Sequence, residues 1–148
     1  MIPLDGLVLV DIQDDILRHS HPYSLIPFLK IIQFAEENDI PLHVYRYGNS
    51  PYERSIHELV AYRGYAIQEK KSFPAPVFAE VDSHLAIVGG FGSRCMFQTI
   101  VQNQDYHWHV PLDCVLHHKE DSIKDTEESY LWRAQIYKSV DEIISEKK

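Results

Sequence analysis

Residues 85–95 read Leu85-Ala86-Ile87-Val88-Gly89-Gly90-Phe91-Gly92-Ser93-Arg94-Cys95. Four consecutive apolar residues suit a strand buried on both faces, and the glycines that follow permit a sharp turn. Ser93 has the character and place of a helix N-cap, which puts Cys95 in the first turn of a helix. There, backbone N–H groups and the positive end of the helix dipole favour a thiolate and can hold an oxyanion. Two readings of the segment stand at this point: a nucleophile turn, or a reduced core cysteine behind a tight strand-to-helix connection.

Upstream, Leu7-Val8-Leu9-Val10 repeats the buried-strand pattern and ends in Asp11-Ile12-Gln13-Asp14-Asp15. A carboxylate at the carboxyl end of a central strand lies where open α/β sheets keep their ligand crevices. A turn or capping role for Asp11 is the alternative. Between Ser24 and Asn38, Leu25, Phe28, Leu29, Ile32 and Ala35 recur at three-and-four spacing, predicting a helix with Pro27 in its first turn. Leu42-His43-Val44-Tyr45 then reads as a strand, so strand, helix and strand make a right-handed parallel crossover. Gly48-Asn49-Ser50-Pro51 is a turn, Ile56 to Tyr62 a short helix, and Lys70-Lys71-Ser72-Phe73-Pro74-Ala75-Pro76 a stretch whose prolines bar regular helix. The paired lysines could equally be solvated surface.

Downstream, the pattern predicts a helix over Met96 to Asn103, a strand from His107 to Leu112 closed by Asp113, and a helix from Glu127 to Ala134. A short strand from Gln135 to Lys138 follows, and Ser139 with Glu142 has capping-box spacing ahead of a terminal helix. Strands alternating with helices specify a three-layer α/β/α sandwich around a mainly parallel sheet. With 148 residues and no repeats or linkers, residues 1–148 form one domain.

Hydrophobic residues make up 45% of the chain and the net charge is -8, an ordinary globular composition with no basic stripe for nucleic acid. No apolar run approaches the roughly 18 residues of a membrane span. Two cysteines, Cys95 and Cys114, and no signal-peptide pattern point to a reducing cytoplasm. The nine histidines include the pairs His19/His21, His107/His109 and His117/His118. None has a convergent Cys or carboxylate at ligand spacing, so no metal is expected. The glycine turn matches neither G-x-G-x-x-G nor G-x-x-x-x-G-K-[ST], which leaves a nucleotide-binding domain without a phosphate motif.

Taken together, Val10-Asp11-Ile12-Gln13-Asp14 resembles the V-D-x-Q opening of the isochorismatase-like cysteine hydrolases. Gly89, Cys95, Met96 and Thr99 resemble that family's G-x-x-T-x-x-C-V-x-x-T segment, with Gly92 in place of the first threonine. Lys70, Phe73 and Ala75 resemble its K-x-x-[YF]-S-A-F pattern, with Lys71 as the other choice of lysine. Tyr106 and Asp113 fall where the family has an aromatic residue and a strand-ending aspartate. The likeness spans nearly the whole chain. Departures are Gly92, beside a peptide that is often cis in the family, a shortened segment between Lys70 and Gly89, and Arg46-Tyr47-Gly48-Asn49-Ser50 where the metal-binding branch carries Asp-x-His.

The resemblance implies an Asp11–Lys70–Cys95 triad, with Phe91, Gly92 and Gln13 at the substrate and oxyanion positions. It implies hydrolysis of a small amide, ureido or carbamoyl compound through a thioester, with no organic cofactor and no metal, in a homodimer or homotetramer. A catalytically silent member that binds a small ligand or oligomerises is the alternative.

Overall fold

Strands β1 (Gly6–Val10) and β4 (His84–Gly90) form the centre of a computed structural model that describes residues 4–47, 67–70, 74–75, 77 and 79–146. They pair in parallel with Val10 opposite Gly89. β2 (Leu42–Tyr47) and β3 (Ile67–Lys70) extend the sheet beyond β1. On the far side of β4 lie β5 (His107–Pro111) and β7 (Ala134–Tyr137), giving the order β3-β2-β1-β4-β5-β7. A two-residue strand, β6 (Val115–Leu116), pairs with the end of β4 at Gly89 and Gly90. Every pairing among these described strands is parallel. The order of the strands reverses between β1 and β4, so the crevice of this sheet opens at their carboxyl ends.

All five residues of β1 are buried because both faces are covered, and alternate side chains enter different cores. Leu7, Leu9, Ala86 and Val88 pack with Phe28, Ile31 and Ala35 of α2 (Ile26–Glu37) and with Val140 and Ile143 of the last helix, α5 (Val140–Glu146). Val8, Val10, Leu85 and Ile87 pack on the other face with Met96, Ile100, Trp108 and Tyr130. The last two helices of that face are α3 (Phe97–Gln102) and α4 (Ile123–Tyr130). This is the expected three-layer sandwich.

Several elements differ from the sequence expectation. α1 (Asp14–Arg18) is an extra short helix directly after Asp11–Gln13. α4 begins at Ile123, earlier than the expected Glu127, because Ser122 caps it by accepting the Asp125 N–H at 3.2 Å. In the expected capping box, Glu142 reaches past Ser139 to the N–H of Lys138 at 3.2 Å. The turn at Gly48–Pro51, the helix at Ile56–Tyr62 and Lys71 lie outside the described residues.

The shortened connection before β4 contains no helix among its described residues. It is a strap held by side chains of the neighbouring layer. Thr99 Oγ1 accepts the Ala75 N–H at 2.9 Å, and Asn103 Nδ2 donates to Ala75 O at 3.3 Å. The Tyr106 hydroxyl accepts from Ala79 N–H at 3.0 Å and faces the carbonyls of Val77 and Ala79 at 3.3 and 3.2 Å. A turn at Val81–Asp82, with Asp82 at a φ of 68°, then enters β4. No described helix is long and apolar enough to cross a membrane.

Candidate active site

Three consequences of strand packing set the site. Gly89 has a φ of 125°, and a Cβ there would lie 2.0 Å from the Val10 carbonyl oxygen, so only glycine lets β4 run this close to the end of β1. Asp11 leaves β1 at a φ of 51°, the left-handed region that aspartate tolerates better than most residues, with its N–H on Tyr45 O at 3.0 Å. Its side chain is fully buried. Asp11 thus joins a buried carboxylate and left-handed backbone to a place at the strand-order reversal, where open α/β sheets keep their ligand crevices.

After β4 the Gly90–Phe91 peptide is cis, as is frequent in the resembled family even though Gly92 replaces its threonine. The helix start differs from expectation. Residues Gly92–Met96 form a π-helical turn, and regular α-helix begins only at Phe97. π turns of this kind recur at functional sites. Phe91, extended at φ −78° and ψ 144°, is the flanking residue, and its carbonyl accepts the N–H groups of Arg94 at 3.0 Å and Met96 at 3.3 Å. Ser93 is therefore no cap. It lies inside the turn, and its hydroxyl donates to Asp121 Oδ2 at 2.5 Å.

Cys95 is outside any disulfide and 7% exposed within this turn. Its carbonyl accepts the Thr99 hydroxyl at 2.6 Å, the same hydroxyl that takes the Ala75 N–H. Tyr130 donates to Gly92 O from the opposite helix, and burial pushes that phenol well above its ordinary range, so it stays a donor. Gly92 is enclosed: a Cβ would sit 2.6 Å from Val115 Cγ1, 3.0 Å from Thr126 Cγ2 and 3.3 Å from His117 Nδ1. Gln13 and Phe91 are both buried at the same rim.

Lys70 ends β3 opposite Tyr47 in register, so it too stands at a carboxyl end of the parallel sheet, with β2 between β3 and β1. Its position rests on the strand backbone. The sheet thus brings Asp11, Lys70 and the Cys95 turn to one rim, with Asp11 directly after the Val10–Gly89 pair that ends the β1–β4 register. Cys114, by contrast, is fully buried, and burial followed by the Asp113 charge pushes its thiol far up, which leaves it inert. Asp113 caps α5 through Val140 N–H at 2.9 Å. Among the described residues no group of three or more His, Cys, Asp or Glu could hold a metal ion.

Sequence reasoning missed Tyr130 and Asp121, which hold the turn from α4 and from the loop after β6. Neither belongs to a recognisable motif. Thr99 had a signal, its place at the end of the nucleophile motif, although its dual bond to Cys95 and Ala75 needed coordinates.

No protein-family model matches the sequence, and no curated protein matches it. Solved structures do. An isochorismatase-like hydrolase from Alkaliphilus metalliredigens is 15% identical with a TM-score of 0.75, over 99% of this chain and 100% of that one. MAR1 ribonuclease from Caenorhabditis elegans is 15% identical with a TM-score of 0.79, over 95% and 79%. The YcaC gene product of Escherichia coli, described as an octameric hydrolase of unknown specificity, is 14% identical with a TM-score of 0.68, over 88% and 73%. With the strand order, the buried strand-end aspartate and the cysteine turn in place, the chain has the isochorismatase-like hydrolase fold.

Proposed function

We propose that this protein is a cysteine hydrolase of a small amide, ureido or carbamoyl compound. The observation that carries the reading is Cys95 in a π-helical turn after β4, at the same strand-order reversal where the buried, left-handed Asp11 ends β1. Asp11 accepts the thiol proton, and the thiolate attacks the carbonyl carbon. The Lys70 ammonium favours the thiolate. Backbone N–H groups at Cys95 and near Phe91 or Gly92 receive the oxyanion, an effect worth about 3 kcal/mol per donor in other enzymes. When the C–N bond breaks, the amine leaves with the proton held by Asp11. Water, deprotonated by Asp11, then cleaves the thioester to the acid and returns the thiol.

The decisive assay is ammonia release from a panel of small amides and ureido compounds by the wild type, Cys95→Ala, Asp11→Asn, Lys70→Ala and Lys71→Ala. Loss of turnover in the first two variants and in one lysine variant is the expected result. Full turnover in Cys95→Ala refutes the mechanism. No turnover on any substrate, with a Cys95 thiol that titrates at or above the ordinary value near 8.5, favours the silent, ligand-binding alternative. The ribonuclease name of MAR1 belongs to that protein, and the net charge of -8 here does not favour a phosphate-rich substrate.

A further inference from the structure

Three segments meet at Asp121 beside the nucleophile turn, one at its carboxylate and one at its main-chain carbonyl. Asp121 Oδ2 accepts the Ser93 hydroxyl at 2.5 Å and Arg94 Nε–H at 3.3 Å, while Oδ1 faces Arg94 Nη2 at 3.4 Å. Ser93 and Arg94 are the two residues that immediately precede Cys95. The main chain of Asp121 is itself fixed. Its N–H donates to His118 O at 2.8 Å, and its carbonyl pairs with His21 Nε2 at 2.9 Å. His21 N–H donates to His117 O at 2.8 Å, and Ser20 forms an antiparallel bridge with His118. The segment that follows Asp11 and α1 is thereby joined through Asp121 to the turn that carries Cys95.

We propose that Asp121 is a positioning residue of the Cys95 site: it anchors the nucleophile turn to the loop after β6 and balances the charge of Arg94, the residue that precedes Cys95 in the chain. The inference rests on the hydrolase reading for its catalytic meaning, but its electrostatic part stands on geometry alone. A carboxylate receiving a hydroxyl and a forked guanidinium is held firmly and stays ionised, and the Ser93 bond leads the forces that keep Asp121 below its usual range. Among the described residues, the other titratable groups facing Asp121 are His118 and His117 of its own loop and His21, whose Nε2 meets its carbonyl. Removing the Asp121 charge leaves Arg94 uncompensated and favours the thiolate. Removing Arg94 leaves Asp121 uncompensated and disfavours it.

The test follows the pH profile of Cys95 alkylation by iodoacetamide, read by mass spectrometry of the Cys95 peptide, alongside kcat and KM. Asp121→Asn preserves size and an acceptor for Ser93. It is expected to move the alkylation midpoint down by about half a pH unit at low salt, with Arg94→Gln moving it up and the double variant returning close to the wild type. The shifts shrink at 1 M salt. A contact that only stabilised the loop would not give opposite shifts that cancel. Turnover in Asp121→Asn falls about tenfold through kcat, with KM changed less than twofold. Alkylation profiles that superimpose for wild type, Asp121→Asn and Arg94→Gln overturn the proposal. Alkylation needs no substrate, so absent wild-type turnover bears only on the hydrolase reading, and the profiles still decide the role of Asp121.

Discussion

His109 is expected to cost the protein stability in mild acid. Its ring is 8% exposed, with Nε2 against His84 Nδ1 at 2.9 Å and Nδ1 against the Tyr137 hydroxyl at 2.8 Å. Burial first, then the charges of His84 and His107, lowers its pKa from 6.5 to about 4. The unfolded chain binds this proton as pH falls through 6.5, and the folded chain binds it only near pH 4. Stability contributed by the neutral ring is therefore intact above pH 6.5 and lost progressively down to about pH 4, below which both states carry the proton. At about 1.4 kcal/mol per pH unit, the loss between pH 7 and pH 4.5 is about 3 kcal/mol. His43 and His117, also lowered by burial, add to the acid sensitivity of wild type and variant alike. The perturbation is His109→Gln, which is neutral and still offers groups to both neighbours. Urea unfolding at pH 7 and pH 4.5 gives the two stabilities of each protein. The variant is expected to be less stable at pH 7 and to lose about 3 kcal/mol less than the wild type on acidification. An equal acid loss in both proteins would refute the reasoning, since another group would then carry the dependence.

Gly92→Ala introduces a Cβ 2.6 Å from Val115 Cγ1 and is expected to cost about 1–3 kcal/mol in urea unfolding, with part of the loss recovered in Gly92→Ala/Val115→Ala. Stability equal to the wild type would show that the pocket yields freely. Gly89→Ala drives a Cβ to 2.0 Å from a backbone oxygen at a φ of 125°, so neither partner can step aside, and a loss above about 4 kcal/mol is expected as absent native circular dichroism at 25 °C. Tyr106→Phe strips the strap of one acceptor and one donor and is expected to cost about 1–2 kcal/mol, with faster amide exchange at Ala79 as its local signature. Unchanged exchange at Ala79 would mean that the strap is held without that hydroxyl.

The parallel sheet was legible because its central strands are buried on both faces and therefore write themselves as unbroken apolar runs, as in Leu7–Val10 and Leu85–Val88. Elements lacking such a run escaped. β6 has two residues, and its place depends on where β5 ends and β4 continues. The start of α4 depends on which serine caps it, and Ser122 sits in a polar loop where several residues could. Ser93 misled for the same reason. Its sequence position fits a cap, but the π-helical turn places it inside the helix and offers its hydroxyl to Asp121. Local pattern fixes residue type and periodicity, whereas the partner of a hydroxyl is a tertiary fact. The tryptophans divide similarly. Trp108 is buried with its indole N–H on Asn103 O, while Trp132 is 91% exposed, and nothing in their flanks distinguishes them.

The segment between Lys70 and β4 is shorter than in the resembled family and holds no helix among its described residues, which weakens the sequence case for a working site. The structure supplies a physical reason why the loss need not disturb the cysteine. A connection without a helix leaves its N–H and C=O groups in want of partners, and buried groups of that kind each cost about 1–3 kcal/mol. Here Thr99, Asn103 and Tyr106 supply those partners from the layer that also carries Cys95. Thr99 is the junction, since its hydroxyl donates to Cys95 O and accepts from Ala75 N–H. Thr99→Val keeps the shape and removes both bonds, so it tests whether strap and nucleophile turn are one unit. If they are, amide exchange at Ala75 and alkylation of Cys95 accelerate together in this variant. Acceleration at Ala75 alone would show that the turn is held by Asp121 and Tyr130 without help from the strap.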